Sequence, residues 1–290
     1  MEPRIDATLR LPALDGFELA ATLYEPAAAT DPRPVVLINS ATAVRRGYYD
    51  GYARSLTDRG FTVVTYDYRG IGGSRPRRLA GFRACMRQWG ELDLAGVLDW
   101  IAGHLQPRRL LVVGHSVGGQ IVGLAENNQR IDAVLLVGSQ SGWWGHWPSP
   151  YRYRIALNWY LIPLVTRLYG YLPGRFGTKE DLPAGVAREW AHWGRRRCYL
   201  MESAELRDRF ARLRRPLLAY SFTDDDYAPR PAVEELLDYY AEADVHHRHL
   251  APRDVGAGAI GHFGFFREAF RETLWRDATE WLSKQAARLA

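Results

Sequence analysis

Leu110-Leu111-Val112-Val113-Gly114-His115-Ser116-Val117-Gly118-Gly119 is the stretch on which the reading of this chain turns. Its four opening apolar residues have the length and character of a short strand buried on both faces. They run into Gly-x-Ser-x-Gly, and a helical spacing begins at Val117 and continues toward Asn127. A serine between strand and helix, with glycine two places to either side, fits a nucleophile elbow, because the sharp turn brings backbones too close together for larger side chains. The motif alone is weak: ten serines and 27 glycines in 290 residues yield it by chance in about one such chain in ten. Its context is what makes it specific. A phosphate-binding turn would share the strand–turn–helix form, but it would bring Gly-x-Gly-x-x-Gly or a phosphate-loop lysine, and this turn has neither. Ser116 is therefore the expected nucleophile, with the N–H groups of the helix start facing the negative charge that develops on attack.

The same alternation extends to both sides. Thr8–Leu11 and Phe17–Tyr24 read as strands joined by a turn at Asp15-Gly16, and a Pro/Ala-rich loop follows. Val35–Asn39 is a short apolar strand, 48–59 a helix that stops at Gly60, and Phe61–Tyr66 another strand. Helix 89–104 precedes the elbow, and strand Ile131–Val137 comes after its helix. Short apolar strands alternating with helices give βαβ units and a mostly parallel sheet. From Ser141 to Arg215 the rhythm breaks into helical pieces (151–169 and 186–193) with six tryptophans and no strong strand. Strand Pro216–Phe222, helix 231–243, strand Val245–Leu250 and a closing helix from Phe265 to about Lys284 then resume it. The expected organisation is an α/β core formed by 1–140 and 216–290, with 141–215 inserted as a helical cap.

A serine hydroxyl at neutral pH needs a base to take its proton and an anion to steady that base once charged. His262 lies in Ile260-Gly261-His262-Phe263-Gly264, a Gly-flanked loop between the last strand and the last helix, and is the expected base. His246, His247 and His249 sit instead in a strand, where His247 and His249 share a face; without paired carboxylates or cysteines beside them they read as ordinary strand residues rather than a metal site. The acid is expected after the strand ending at Phe222, in Thr223-Asp224-Asp225-Asp226-Tyr227-Ala228-Pro229, because the preceding strand end, Gly138-Ser139-Gln140, offers no carboxylate. At this point the residues alone leave the choice among the three aspartates open.

With these segments in view the chain resembles the α/β-hydrolase superfamily, and within it the bacterial "predicted α/β hydrolase" group related to serine-aminopeptidase-like lipases and esterases. The resemblance covers nearly the whole chain. It rests on Tyr66-Asp67-Tyr68-Arg69-Gly70-Ile71-Gly72-Gly73-Ser74, the elbow, Ser221–Pro229, and Gly261-His262-Phe263-Gly264-Phe265-Phe266. It implies an α/β-hydrolase fold with a mostly parallel sheet flanked by helices. It also implies that the acid stands four residues before the proline, at Asp225, although counting from the strand end favours Asp224. An oxyanion hole is implied as well, built from the backbone N–H of Val117 and that of Ala41. Where relatives read His-Gly-x at the second donor, this chain has Asn39-Ser40-Ala41, and serine tolerates positive φ less well than glycine. For Asp67–Ser74 the structural reading is a tight Gly-rich turn in which Arg69 ties loops together.

The expected activity is that of a carboxylesterase-like serine hydrolase acting on a small or medium, apolar ester through an acyl-enzyme, with no metal or organic cofactor required. Thioesterase, acyltransferase and C–C hydrolase chemistry would use the same triad; a non-catalytic ligand-binding relative would not need it. An aspartate nucleophile, as in haloalkane dehalogenases, is excluded by Ser116. The net charge of +5 invites a nucleic-acid reading, but Lys179 and Lys284 are the only lysines and the arginines are scattered from end to end, unlike a binding groove. Two cysteines form no disulfide framework, no apolar run reaches the roughly 18 residues of a membrane span, and Met1–Arg10 lacks the pattern of a signal peptide. A cytoplasmic protein with a small-molecule substrate is expected, and a homodimer is left open.

Overall fold

Alternating apolar runs become strands, and the strands are β1 (Arg4–Ile5), β2 (Leu9–Pro12), β3 (Glu18–Glu25), β4 (Pro34–Asn39), β5 (Thr62–Tyr66), β6 (Arg109–His115), β7 (Ala133–Val137), β8 (Tyr171–Leu172), β9 (Leu182–Pro183), β10 (Pro216–Phe222) and β11 (Asp244–Leu250). The structure is a computed structural model that describes residues 4–5, 9–27 and 33–288; Thr8 of the expected first strand and 28–32 of the Pro/Ala-rich loop lie outside these. The helices are α1 (Asp50–Thr57), α2 (Ala95–His104), α3 (Val117–Gln120), α4 (Tyr151–Tyr169), α5 (Ala184–Gly194), α6 (Ala204–Ala211), α7 (Arg230–Tyr239), α8 (Gly261–Gly264) and α9 (Arg276–Ala287).

Among the described residues nine strands form one sheet, in the order β1-β3-β5-β4-β6-β7-β10-β11 with β2 beside β3. Strands β5, β4, β6, β7, β10 and β11 run parallel, while β1, β2 and β5 each pair antiparallel to β3. The expected mostly parallel α/β architecture is thus present. Period-two alternation sorts the side chains between two cores. Val35, Leu37, Val112, Val134 and Leu136 face one side with Val97, Leu98 and Ile101 of α2, whereas Val36, Ile38, Val113, Leu135 and Val137 face the other with Leu56 of α1 and Leu282 of α9. Burying each such side chain contributes about 1.5–3 kcal/mol, so strands carrying apolar residues on both faces belong at the sheet's centre.

Several segments differ from their sequence reading. The helix expected over 117–127 is only α3, continued by a 3-10 turn over Ile121–Leu124. Its glycines serve close approach rather than helix propensity, and a Cβ on Gly123 would stand 2.3 Å from the Phe210 ring. The closing helix is a 3-10 turn, a π-turn over Arg271–Trp275 and then α9. Between β7 and β10, besides α4, α5 and α6, the short antiparallel pair β8–β9 is present. No helix among the described residues is long and apolar enough to cross a membrane.

Candidate active site

Ser116 sits between β6 and α3 with φ 54° and ψ −118°, a conformation that costs an L-residue about 1–3 kcal/mol and persists only where its surroundings enforce it. Those surroundings are close. A Cβ on Gly114 would lie 2.7 Å from Gly119 Cα, one on Gly118 2.3 Å from the Asn39 carbonyl oxygen, and one on Gly119 2.3 Å from Ser139 Oγ. The glycines of the motif are therefore required by β4, β7 and the turn itself. Ser116 N–H donates to the Val137 carbonyl at 3.0 Å, hanging the elbow from the end of β7. Val117 supplies the first N–H of α3, a position with no partner inside the helix. Ser116 is buried, with 7% of its surface exposed, and its hydroxyl makes no hydrogen bond to a protein group among the described residues.

His262 lies in α8 and brings its ring to the strand end after β10. Its Nδ1 is 2.8 Å from Asp225 Oδ2. A carboxylate only accepts, so Nδ1 carries the proton and Nε2 is the nitrogen left able to take one. Asp225 Oδ1 accepts the N–H groups of Tyr227 and Ala228 at 2.9 and 3.0 Å, which fixes the carboxylate independently of the histidine. The three adjacent aspartates, which the sequence leaves unresolved, have three different jobs. Asp225 bonds the ring of His262. Asp224 Oδ2 accepts the N–H groups of Ile260 and Gly261 at 2.8 and 3.1 Å and so holds the loop that carries His262. Asp226 is exposed, and its carbonyl accepts from Trp147 Nε1 at 2.7 Å.

Ala41 N–H, expected as an oxyanion donor, already donates to Tyr49 Oη at 2.8 Å. Tyr49 is wholly buried, and a buried hydroxyl and a buried amide each need a partner. Asn39 ties β4 to the elbow, donating from Nδ2 to the Gly118 carbonyl at 3.1 Å and accepting from Tyr66 Oη at 3.0 Å.

Four further residues near the site are given no role by the sequence alone. Gly138, at φ 56°, ends β7 directly against the pair: a Cβ there would be 3.2 Å from both Asp225 Oδ2 and His262 Nδ1. The strand end that offers no acid thus makes room for one from its neighbour. The Tyr227 ring centroid is 5.2 Å from that of His262. His115, the residue before the nucleophile, has Nδ1 2.8 Å from Tyr49 Oη and Nε2 2.9 Å from the His262 carbonyl. Tyr49 completes the set.

Outside the site, Arg69 bonds Asp93 at 2.6 Å and Asp15 at 2.8 Å, and Asp67 accepts from the N–H groups of Arg46 and Gly73 at 2.7 and 2.8 Å, in keeping with a structural turn. His247 Nε2 and His249 Nδ1 each lie 2.7 Å from Ser221 Oγ. Among the described residues no group of three or more His, Cys, Asp or Glu side chains is placed to hold a metal.

A cavity of about 490 Å³ adjoins the site. Trp147, Ile155, Trp159, Leu164 and Leu168, from the stretch between β7 and β10, line it together with Tyr227. Neither Ser116 nor His262 is part of its wall, and it meets the site at Tyr227.

Comparison with known proteins supplies a frame for this geometry. A model of the Alpha/beta hydrolase family matches residues 35–277. "Hydrolyase poxO" of Penicillium oxalicum is 30% identical over 138 residues, which are 44% of this chain and 32% of that protein; the match spans about a third of that relative's length. The structure of Est1E from Butyrivibrio proteoclasticus with ferulic acid bound superposes with a TM-score of 0.62 at 15% identity, covering 96% of this chain and 99% of that one. A thermophilic esterase from Thermogutta terrifontis does so with 0.63 at 18% identity, over 97% and 100%. At these identities the two structures show a shared fold.

Proposed function

Because the chain belongs to the alpha/beta hydrolase family, we propose that it is a serine hydrolase of carboxylic esters, with Ser116 as nucleophile, His262 as general base and Asp225 as the carboxylate that orients and steadies the imidazolium. One observation carries the reading: the Nδ1–carboxylate bond of 2.8 Å is buried, which leaves Nε2 as the nitrogen able to take a proton. In the proposed reaction Ser116 Oγ attacks the ester carbonyl carbon as His262 Nε2 takes its proton. The tetrahedral oxyanion is received by the Val117 N–H. The alcohol leaves with the proton returned by His262, and water activated by the same nitrogen then releases the acid. Ala41 N–H is the proposed second donor, sharing its proton between the Tyr49 hydroxyl and the oxyanion in a three-centre bond. One such donor is worth roughly 3 kcal/mol of barrier.

We further propose that 141–215 acts as a cap whose cavity takes the apolar part of the substrate. The aromatic and aliphatic lining supports an acyl or aromatic group, as in other mostly apolar ligand sites. The superposition on Est1E, which was solved with ferulic acid, is compatible with an aromatic acid portion.

The test is labelling with a fluorophosphonate probe, run beside a panel of chromogenic esters and thioesters of graded chain length. Labelling and ester turnover that vanish in Ser116→Ala and His262→Ala are the expected result. A wild-type protein that is inert to the probe and to every ester would overturn the proposal, and labelling that survives Ser116→Ala would move the nucleophile elsewhere.

A further inference from the structure

Ala41, Tyr49 and His115 form an unbroken hydrogen-bonded line that ends on the backbone of His262, and all three are buried. The direction of every proton along it follows from donor chemistry. An amide N–H only donates, so Tyr49 Oη accepts from Ala41. The single hydroxyl proton of Tyr49 then goes to His115 Nδ1, which must present a lone pair. The ring proton of His115 is left on Nε2, where it is donated to the His262 carbonyl, a group that only accepts. From this we infer that Tyr49 and His115 are positioning residues, a buried relay that holds the His262 loop, the nucleophile elbow and the Asn39-Ser40-Ala41 loop in one register. The inference rests on the proposed triad and deepens it.

The loop that His115 grips needs such a hold. Helix α8 is a single turn of four residues, too short to satisfy its own carbonyls. The N–H groups of Ile260, just before it, and of Gly261 are taken by Asp224, and the His262 side chain is taken by Asp225. The His262 carbonyl is taken by His115, so the backbone carrying the base is fixed from both sides. An apolar residue at 115 would fill the same space between Tyr49 and Phe266, whose rings pack near it, but it could not donate to that carbonyl. The line requires a neutral His115, since a second ring proton would take away the lone pair on Nδ1 that accepts the Tyr49 hydroxyl proton. Burial pushes the His115 ring well below the usual histidine range; the nearby His262 and Lys179 add to this, and the bond to the His262 carbonyl opposes it.

The experiment compares wild type, Tyr49→Phe, His115→Met and His115→Gln, with kcat and KM on one ester and the 15N shifts of the His115 ring. Gln carries an N–H close to the place of Nε2, whereas Met fills the volume without a donor. Expected are a fall in kcat of roughly ten- to a hundred-fold in Tyr49→Phe and His115→Met, of the size that misplacing a reacting group by an ångström produces, and KM within about two-fold. His115→Gln should recover most of the loss. The wild-type spectrum should show His115 neutral with its proton on Nε2 from about pH 5 to pH 8. A kcat that is unchanged or raised in Tyr49→Phe and His115→Met, or a His115 ring that titrates in that range or carries its proton on Nδ1, overturns the relay. If His115→Met does not fold, Tyr49→Phe and the wild-type spectrum still decide. The spectrum needs no turnover, so a wild type inert to the fluorophosphonate probe would sink the proposed hydrolase and leave the relay to be judged on its own.

Discussion

The carboxyl end of the sheet and the helical stretch between β7 and β10 are both rich in large side chains, but they hold them by different means. At the sheet end Ser116, Asp225 and His262 come from three separate loops, and each is anchored by backbone-directed bonds: Ser116 to Val137, Asp225 to the amides of Tyr227 and Ala228, and the His262 loop to Asp224 and His115. In the helical stretch α4 is 19 residues long and buries only Trp159 and Thr166. Tyr153, Leu157, Tyr160, Leu164 and Leu168 stand exposed along it. Directional bonds at short range specify where an atom sits, whereas apolar contact specifies only that space is filled. The first arrangement suits reacting atoms, and the second suits a wall that accepts ligands of varied shape.

That contrast predicts a steep fall in mutational sensitivity from one region to the other. Ser116→Ala should lower kcat by roughly 10⁴-fold or more, read by ester turnover with KM little changed. Asp225→Asn should cost about 10⁴-fold, because an amide leaves the imidazole in the wrong tautomer. Asp224→Asn, which touches only loop amides, should cost on the order of ten-fold; equal effects at 224 and 225 would break the division of labour between them.

Gly118→Ala probes the scaffold instead. Its Cβ would stand 2.3 Å from the Asn39 carbonyl oxygen, so thermal or denaturant unfolding should show a loss of about 1–3 kcal/mol. Leu157→Ala on the exposed face of α4 should stay within about 0.5 kcal/mol. In the cavity, Leu164→Ala should shift the preferred ester chain length with a change in kcat/KM of about ten-fold between neighbouring substrates, leaving fluorophosphonate labelling of Ser116 intact. Loss of labelling there would show that the helical stretch orders the reacting atoms as well as the ligand.

The smallest expected effect concerns His247 and His249, both lowered from 6.5, chiefly by burial, with His247 lowered further by His249. The folded state binds these protons less readily than the unfolded chain, so this contribution to stability is present above the unfolded value and weakens as pH falls below about 6.5. Replacing both by Gln should flatten the pH dependence of unfolding on the acid side.

Much of this arrangement is legible in the chain itself. Strand β10 over Pro216–Phe222 and helix α4 over Tyr151–Tyr169 coincide with their apolar runs and spacing. The glycines of the elbow are local statements about close approach that any reader of the sequence can make. His262 stands out because glycines flank it. The choice of Asp225 was available only through resemblance, since three adjacent carboxylates look alike until loops meet. The engagement of Ala41 with Tyr49 and of His115 with His262 was not legible: a tyrosine after a turn and a histidine in a motif's variable place carry no mark of their partners.

The division has a physical origin. Strand periodicity, turn glycines and the strand–serine–helix order depend on neighbours within a few residues, so the amino-acid sequence by itself determined the parallel α/β sheet and the serine at the carboxyl end of one of its strands. Hydrogen bonds between groups 37 residues apart, as for His262 and Asp225, or 147 apart, as for His115 and His262, depend on how the sheet order β4-β6-β7-β10 brings loop ends together. Only the tertiary structure decided which carboxylate faces the imidazole and which amide is already taken, because a hydrogen bond is settled by distances of a few tenths of an ångström that no local pattern encodes.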